Sequence, residues 1–575
     1  MAPGGDTNPM TDLQPDRETD PGSAVNDLAE RFWESILELN PTLATFYGDE
    51  RYGDRLEDTS AAGRARTRAM MEQTARDAAA ISTDGLSTED RITRDMLQVI
   101  AELAIEEDEQ GLHQLRAVDQ MQGPQQLMPQ MTSFQPVDTS ERLEAFIGRL
   151  QAYPTFMADN ADILREAMAS GLTAPSIVTE RTIAQMERML AIPIEEAIIP
   201  GSLIGASDED RERIRDIVRE VVYPADNAFL ETLRGEYRHA SREEPGLWSA
   251  PNGDQLYRTA IRSWTTLEME PEAIHQIGLD DIESIDDERR EIARAAGFGD
   301  DVAAYRAHLH DDPADTPGSK AELVARAEED IERAMAVAPQ YFGRLPKAGC
   351  EVRPVEEYKE KDAPFAYYYP PSGDGQRNGI YYANGYDLHA RKYTKLASTT
   401  YHEAAPGHHF QITLEMENEH LNRFRRLGAR MVGGAYVEGW GLYSERLADE
   451  MGLYRTEGER FGMLDAQAWR AARLVVDTGM HALRWERQRS IDFLLGAGLS
   501  ETDAVIETDR YICWPGQALT YKLGQRQIES LRREISARDG SAFDLRELHD
   551  QVLGHGSLPL ATLARELPTW VATPA

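Results

Sequence analysis

Cysteine is nearly absent: the 575 residues include only Cys350 and Cys513. Two thiols cannot build a disulfide framework and are not spaced as metal ligands, so the expected compartment is the reducing cytoplasm. Lysine is scarce as well. Seven lysines, all between Lys320 and Lys522, leave arginine to carry most of the 61 basic charges. Against these stand 100 acidic residues, for a net charge of −39. No basic stripe runs along any expected helix, and a surface of this sign repels phosphate backbones and anionic headgroups. Nucleic acid and membrane surfaces are therefore excluded as expected partners. Long apolar runs are missing too, and no stretch suffices to span a bilayer. From Met1 to about Ser23 the chain is rich in Pro, Gly, Asp and Thr with no apolar core. That stretch is expected to be a disordered tail rather than a signal peptide or anchor.

From about Ala24 the dominant pattern is helical. Apolar residues recur at three- and four-residue intervals in Leu28, Phe32, Ile36 and Leu37, in Met96, Ile100 and Leu103, and through Leu143 to Met168. Ser87-Thr88-Glu89-Asp90 and Thr139-Ser140-Glu141-Arg142 read as helix starts. Between Gly343 and Asn384 the character changes to short β-branched or aromatic runs: Cys350 to Val355, Ala366 to Tyr369, and Ile380 to Ala383. Pro, Gly, Ser and Asp separate them, so they read as a small sheet. Helices resume after Leu388, with breaks at Pro406-Gly407, Gly433-Gly434 and Pro515-Gly516. The expected fold is mainly α, a large multi-helix assembly with a small β-sheet just before its most chemically loaded segment. Residues 24–342 would form one wall of a cleft and 343–575 the catalytic region, the two joined as one unit.

That segment runs Tyr401-His402-Glu403-Ala404-Ala405-Pro406-Gly407-His408-His409-Phe410-Gln411. A His-Glu pair opening a helix is how many zinc hydrolases present a ligand and a general base together: the imidazole binds metal and the carboxylate takes a proton from water. The second His usually comes four residues on, on the same helix face, but that position is Pro406. On an ideal helix His409 returns to within roughly 20° of His402, whereas His408 lies about 120° away. Pro406 removes a backbone donor and Gly407 loosens the next turn, so the helix is expected to deform and His408 can swing in. Spacing leaves the two histidines open.

Two helix-borne histidines need a third protein ligand, commonly a carboxylate from a later helix. Glu438 and Glu445, seven residues apart, lie on nearly one helix face, and Glu438 sits in an otherwise uncharged stretch from Met431 to Ser444. Glu438 is favoured as ligand with Glu445 orienting a histidine, the reverse assignment being possible.

Taken together, four blocks resemble the bacterial domain-of-unknown-function family 885. They are His402-Glu403 through Pro406-Gly407-His408 to Gln411; Glu438-Gly439-Trp440 to Glu445; Val476-Asp477-Thr478-Gly479-Met480-His481; and Pro515-Gly516-Gln517 to Gly524. The resemblance is strongest from about Gly379 to Gly524. It implies a helical fold similar to thermostable (Taq-type) zinc metallocarboxypeptidases, one zinc ion per chain, His408 rather than His409 as ligand, and Glu438 as the third.

The developing oxyanion of amide hydrolysis needs a donor beside the metal. Tyr521 is the first candidate and His481 the second, the latter oriented by Asp477 four residues earlier. Arg470, Arg473 and Lys522 are candidates for a substrate carboxylate. Tyr382, in the run Gly379 to Asn384, would lie on an edge strand able to pair with an extended peptide. His409 is left as a group behind the ligands or simply exposed. The function expected from all of this is a zinc-dependent hydrolase acting on peptides or other amide-containing small substrates, with Glu403 as general base.

Overall fold

The computed structural model describes residues 21–571 apart from 356–359, 361–363 and 372–376. The expected tail falls largely outside the described residues, but its last three, 21–23, already belong to a helix. The chain is mainly helical with one small sheet. In its first half the long helices include α1 (Pro21–Leu39), α2 (Thr88–Glu109), α3 (Ser140–Ser170) and α4 (Pro271–Ala295), the last of which packs along the helix Glu457–His481. The sheet comes next, with β1 (Cys350–Pro354), β2 (Ala366–Tyr369) and β3 (Gly379–Ala383). Then come α5 (Tyr393–Glu403), α6 (His408–Glu417), α7 (Gly434–Glu450), α8 (Glu457–His481), α9 (Glu501–Cys513) and α10 (Thr520–Asp539).

Both helix starts read from the sequence are capped as expected. The Ser87 hydroxyl accepts from the Asp90 amide at the head of α2, and Thr139 does the same for Arg142 at α3, each satisfying an amide with no partner within its helix. The apolar stripe of α1 is buried: Phe32, Trp33 and Ile36 share one core with Tyr401 of α5, Trp440 of α7 and Ile528 of α10. The first and last thirds of the chain are thus packed into each other.

The sheet has the order β1-β3-β2, with β1 parallel and β2 antiparallel to β3. This corrects the expected edge strand. β3 lies in the centre with both backbone edges taken, so it offers no free ladder to a peptide. Tyr382 is nine-tenths buried, stacked on Tyr367 across the strand pair with ring centroids 4.9 Å apart. The sheet braces the two helices that come after it: the Tyr381 hydroxyl accepts from Thr400 of α5, and Tyr368 bonds His409 of α6 at 2.9 Å.

Helices α7 and α10 cross at very close range. A Cβ on Gly524 would lie 1.9 Å from the Ala435 carbonyl oxygen, and one on Gly439 would lie 2.4 Å from Gly524. Glycine at the crossing lets the backbones approach, and this brings Tyr521 of α10 beside the residues of α7.

Candidate metal centre

The His-Glu pair closes a helix rather than opening one. His402 and Glu403 are the last two residues of α5, and His408 is the first of α6. Between them Ala404 leaves helical geometry, the Ala405–Pro406 peptide is cis, and Gly407 lies so close to the preceding turn that a Cβ there would sit 1.9 Å from the His402 carbonyl oxygen. The connection is pinned to α7, where Trp440 Nε1 and Ser444 Oγ both donate to the Pro406 carbonyl, at 2.9 and 3.3 Å. In place of the one deformed helix expected from Pro406, two helices meet at a corner. Their side chains obey different angles.

The corner turns His408, not His409, toward His402. The two imidazoles stand nearly perpendicular with centroids 4.7 Å apart. Both rest on Gly441 of α7, where a Cβ would approach His402 Nε2 to 2.8 Å and His408 Cε1 to 2.9 Å. His409 points the other way. Its Nε2 donates to the Ala348 carbonyl at 3.1 Å and its Nδ1 accepts from Tyr368 at 2.9 Å, while burial pushes its pKa down to about 4. The helical-wheel preference for His409 is therefore corrected.

Glu438 faces both imidazoles, whereas Glu445 holds one of them from behind. Glu438 Oε2 lies 3.6 Å from His402 Nε2 and 3.5 Å from His408 Nε2. Glu445, 1 % exposed, accepts from His402 Nδ1 at 2.9 Å and from Gln467 Nε2 at 3.2 Å. That bond sets the ring orientation and makes Nε2 the nitrogen that faces Glu438 and His408. Donor atoms of His402, Glu403 and His408 all lie within 4.8 Å of one another. Burial opposes charge on His402, but Glu438 and Glu445 outweigh it and hold its pKa up at about 10. Burial likewise opposes charge on Glu438, yet the two imidazoles keep its pKa well below the usual carboxylate range. Glu403 differs: burial raises its pKa, with Glu438 adding to that effect and the two histidines and Arg470 opposing it.

A tetrahedral zinc ion with bonds of about 2.0–2.1 Å spaces its ligand atoms roughly 3.3 Å apart. The separations of 3.5 and 3.6 Å are long for hydrogen bonds and close to that spacing, so His402, His408 and Glu438 fit such an ion. Glu403 stands adjacent as a fourth group.

Of the supporting residues, Tyr521 is at the centre and His481 is not. The Tyr521 ring lies near-parallel to His402, 6.4 Å away, and its oxygen accepts from Arg510 at 3.3 Å. His481 has both ring nitrogens occupied by backbone: Nδ1 accepts from the Leu247 amide and Nε2 donates to the Tyr511 carbonyl. Neither is free for an oxyanion. Asp477 does not orient it, but instead accepts from the Tyr257 hydroxyl at 2.5 Å and the Gly516 amide at 3.1 Å, and burial raises its pKa to about 7. Nor do the two form a surface ion pair, since both side chains are buried. Lys522 is buried and, among the described residues, reaches His402 only through the side chains of Gln467 and Glu445. It donates to the Gln467 and Gln525 side chains and borders a separate cavity of about 700 Å³, and burial pulls its pKa down to about 8. Arg473 is buried between Trp469 and Tyr521 and donates to Tyr511 and Glu507. Gly441, Gln467 and Arg510 join the site without having stood out in the sequence. They carry no recognisable spacing signal and gain their roles only from the groups that pack against them.

Residues 41–567 match the family described as "Bacterial protein of unknown function (DUF885)". The chain belongs to that family. Among solved structures this DUF885 protein is similar to one described as a "putative lipoprotein" from Colwellia psychrerythraea, with 28% identity and a TM-score of 0.87, over 96% of this chain and 99% of that one. A second, a "putative lipoprotein of unknown function" from Shewanella oneidensis, shares the fold at 18% identity, with a TM-score of 0.74, over 94% of this chain and 99% of that one. Comparison with the curated proteins gives no match. Among the described residues of this DUF885 protein, no helix is long and apolar enough to cross a membrane.

Proposed function

We propose that the protein is a zinc-dependent hydrolase of the metallopeptidase type, carboxypeptidase- or oligopeptidase-like, cleaving amide bonds in peptides. The observation that carries this reading is the convergence of His402 and His408 on Glu438 at 3.6 and 3.5 Å, with the Glu403 carboxylate within 4.8 Å of both imidazoles. His402, His408 and Glu438 would hold one zinc ion, which supplies Lewis acidity toward a carbonyl and acidifies water. Metal binding alone does not require Glu403. Its place beside the ligands suits a general base that takes a proton from attacking water and passes it to the departing amine, and burial, which raises its pKa, favours the first of these transfers. Glu445 holds the His402 ring in register. Tyr521 is the donor to the developing oxyanion: Arg510 donates to its oxygen, so its own proton is available.

The test is elemental analysis of tag-free protein together with peptide hydrolysis by wild type and Glu403→Gln. About one zinc per chain is expected in both, with turnover in the variant reduced on the order of 10²–10⁴-fold. Undiminished turnover by Glu403→Gln sinks the mechanism, and protein that neither holds zinc nor loses stability to a chelator sinks the metal. For location we propose the cytoplasm, on the two unpaired thiols. Fractionation of native cells tests this against the envelope location that the relatives' description suggests.

A further inference from the structure

Beside the metal centre lies a cavity of about 180 Å³ between α5, α8 and the segment leading into α9. Lys395 and Thr399 of α5 line it, and Glu403 comes one helical turn after Thr399 on the same face. Arg470 of α8 lines it opposite, 3.9 Å from Glu445 and near enough to Glu403 to favour its charged form. The cavity wall therefore comes within one helical turn of the general base. It is smaller than the roughly 300–1,000 Å³ of pockets that take drug-sized ligands, which suits a single residue.

Its charges are unevenly spent. Arg306, also in the wall, is used up by a two-pronged bond to Asp465 at 2.8 and 2.9 Å. Arg470 is not. Among the described residues it makes one hydrogen bond, a long one of 3.4 Å to the Ala466 carbonyl, and its buried Nε has no partner. Its facing carboxylate, Glu445, is already engaged by His402 and Gln467. Among the described residues, Lys395 meets Asp503 at 4.0 Å and the face of Phe365. Behind Arg470, Arg473 and Arg510 share the single carboxylate of Glu507 and each keeps a buried N–H without a partner among the described residues. Of these three guanidinium groups only Arg470 lines the cavity, and a buried guanidinium with so little hydrogen bonding at a cavity wall suits an anion. A planar carboxylate matches the guanidinium fork. The Trp469 ring, under the Arg470 guanidinium at 4.3 Å, and Phe461 supply an apolar wall.

We propose that this cavity receives the C-terminal residue of the substrate, with Arg470 and Lys395 binding its free carboxylate and Trp469 flanking its side chain. The inference rests on the hydrolase reading and narrows it to removal of one residue from a free C-terminus. Water oxygen bonds to the carbonyl carbon of the penultimate residue, the C–N bond breaks, and the proton taken by Glu403 goes to the leaving amine. The products are a peptide shorter by one residue and a free amino acid.

Two measurements on the full-length, zinc-loaded protein test it. In calorimetry, N-acetylphenylalanine should bind about 10- to 100-fold more tightly than N-acetylphenylalaninamide, the range for a charge-assisted pair. Arg470→Gln should erase that preference with zinc content unchanged, and Lys395→Gln, at a half-exposed position where misfolding is not a concern, should reduce it. Equal binding of acid and amide by the wild type overturns the proposal. In hydrolysis, a peptide with a free C-terminus should lose its last residue while its C-terminally amidated twin stays intact; equal cleavage of both also overturns it. If neither peptide is cut while the acid still outbinds the amide, the carboxylate subsite stands and the hydrolase reading falls.

Discussion

Glu445 shows how a residue that would touch no substrate can govern the site. It orients His402 through one 2.9 Å bond and is itself held by Gln467. Loss of such a partner typically weakens metal binding 10- to 100-fold. Glu445→Gln is expected to do so in a zinc competition titration, while His409→Ala, on the far face of α6, leaves zinc affinity unchanged; the opposite ranking would reassign the ligands. Asp477 carries a pH signature of its own. Its pKa is raised to about 7 in the folded protein from an ordinary value near 3.8, because burial disfavours the charge more than Tyr257 and Gly516 support it. Between these values the folded state holds the proton and the unfolded state does not, so the stabilisation is present at low pH and is lost as pH rises toward about 7. Denaturant midpoints of wild type relative to Asp477→Asn should therefore fall between about pH 5 and pH 7 and level off above. A flat difference would show that Asp477 is ionised throughout. Spacing alone makes this residue the partner of His481, and four-residue spacing cannot tell whether Tyr257, more than two hundred positions away, competes for the carboxylate.

At the level of elements, the crossing of α7 and α10 is decisive, because α7 carries Glu438, Gly441 and Glu445 and α10 carries Tyr521. Gly524→Ala would place a methyl 1.9 Å from the Ala435 carbonyl oxygen. Overpacking of this kind costs about 1–3 kcal/mol, read as a lower denaturant midpoint, and should also weaken zinc binding as α7 moves. An unchanged midpoint would mean that the two backbones can part at the crossing without cost. Much of this layer was legible. Capped starts at Ser87 and Thr139 and the three strand segments all emerged where apolar periodicity and turn residues placed them. The misreadings have one origin, since local pattern says that Gly379 to Ala383 is a strand but not which strands flank it, and that Pro406 disrupts a helix but not that a new one begins at His408.

For the whole molecule the governing quantity is charge. A net charge of −39 repels itself in the compact state and less so in the unfolded chain. Screening length is about 8 Å at physiological ionic strength, so raising sodium chloride from about 10 mM to about 0.5 M is expected to raise the melting temperature. A fall would mean that the many surface Arg–carboxylate pairs outweigh the net repulsion. Sequence alone determined the helical class, the small sheet, the acidic surface and the blocks that hold the chemistry, because composition and periodicity are properties of neighbouring residues. The resemblance to a family added the choice of His408. Only the tertiary structure decided that His408 and Glu438 approach His402 together, that His481 is spent on backbone, and that Arg470 is left with donors to spare. Each of those outcomes depends on which groups from distant segments compete for the same atom, and that competition is settled by packing.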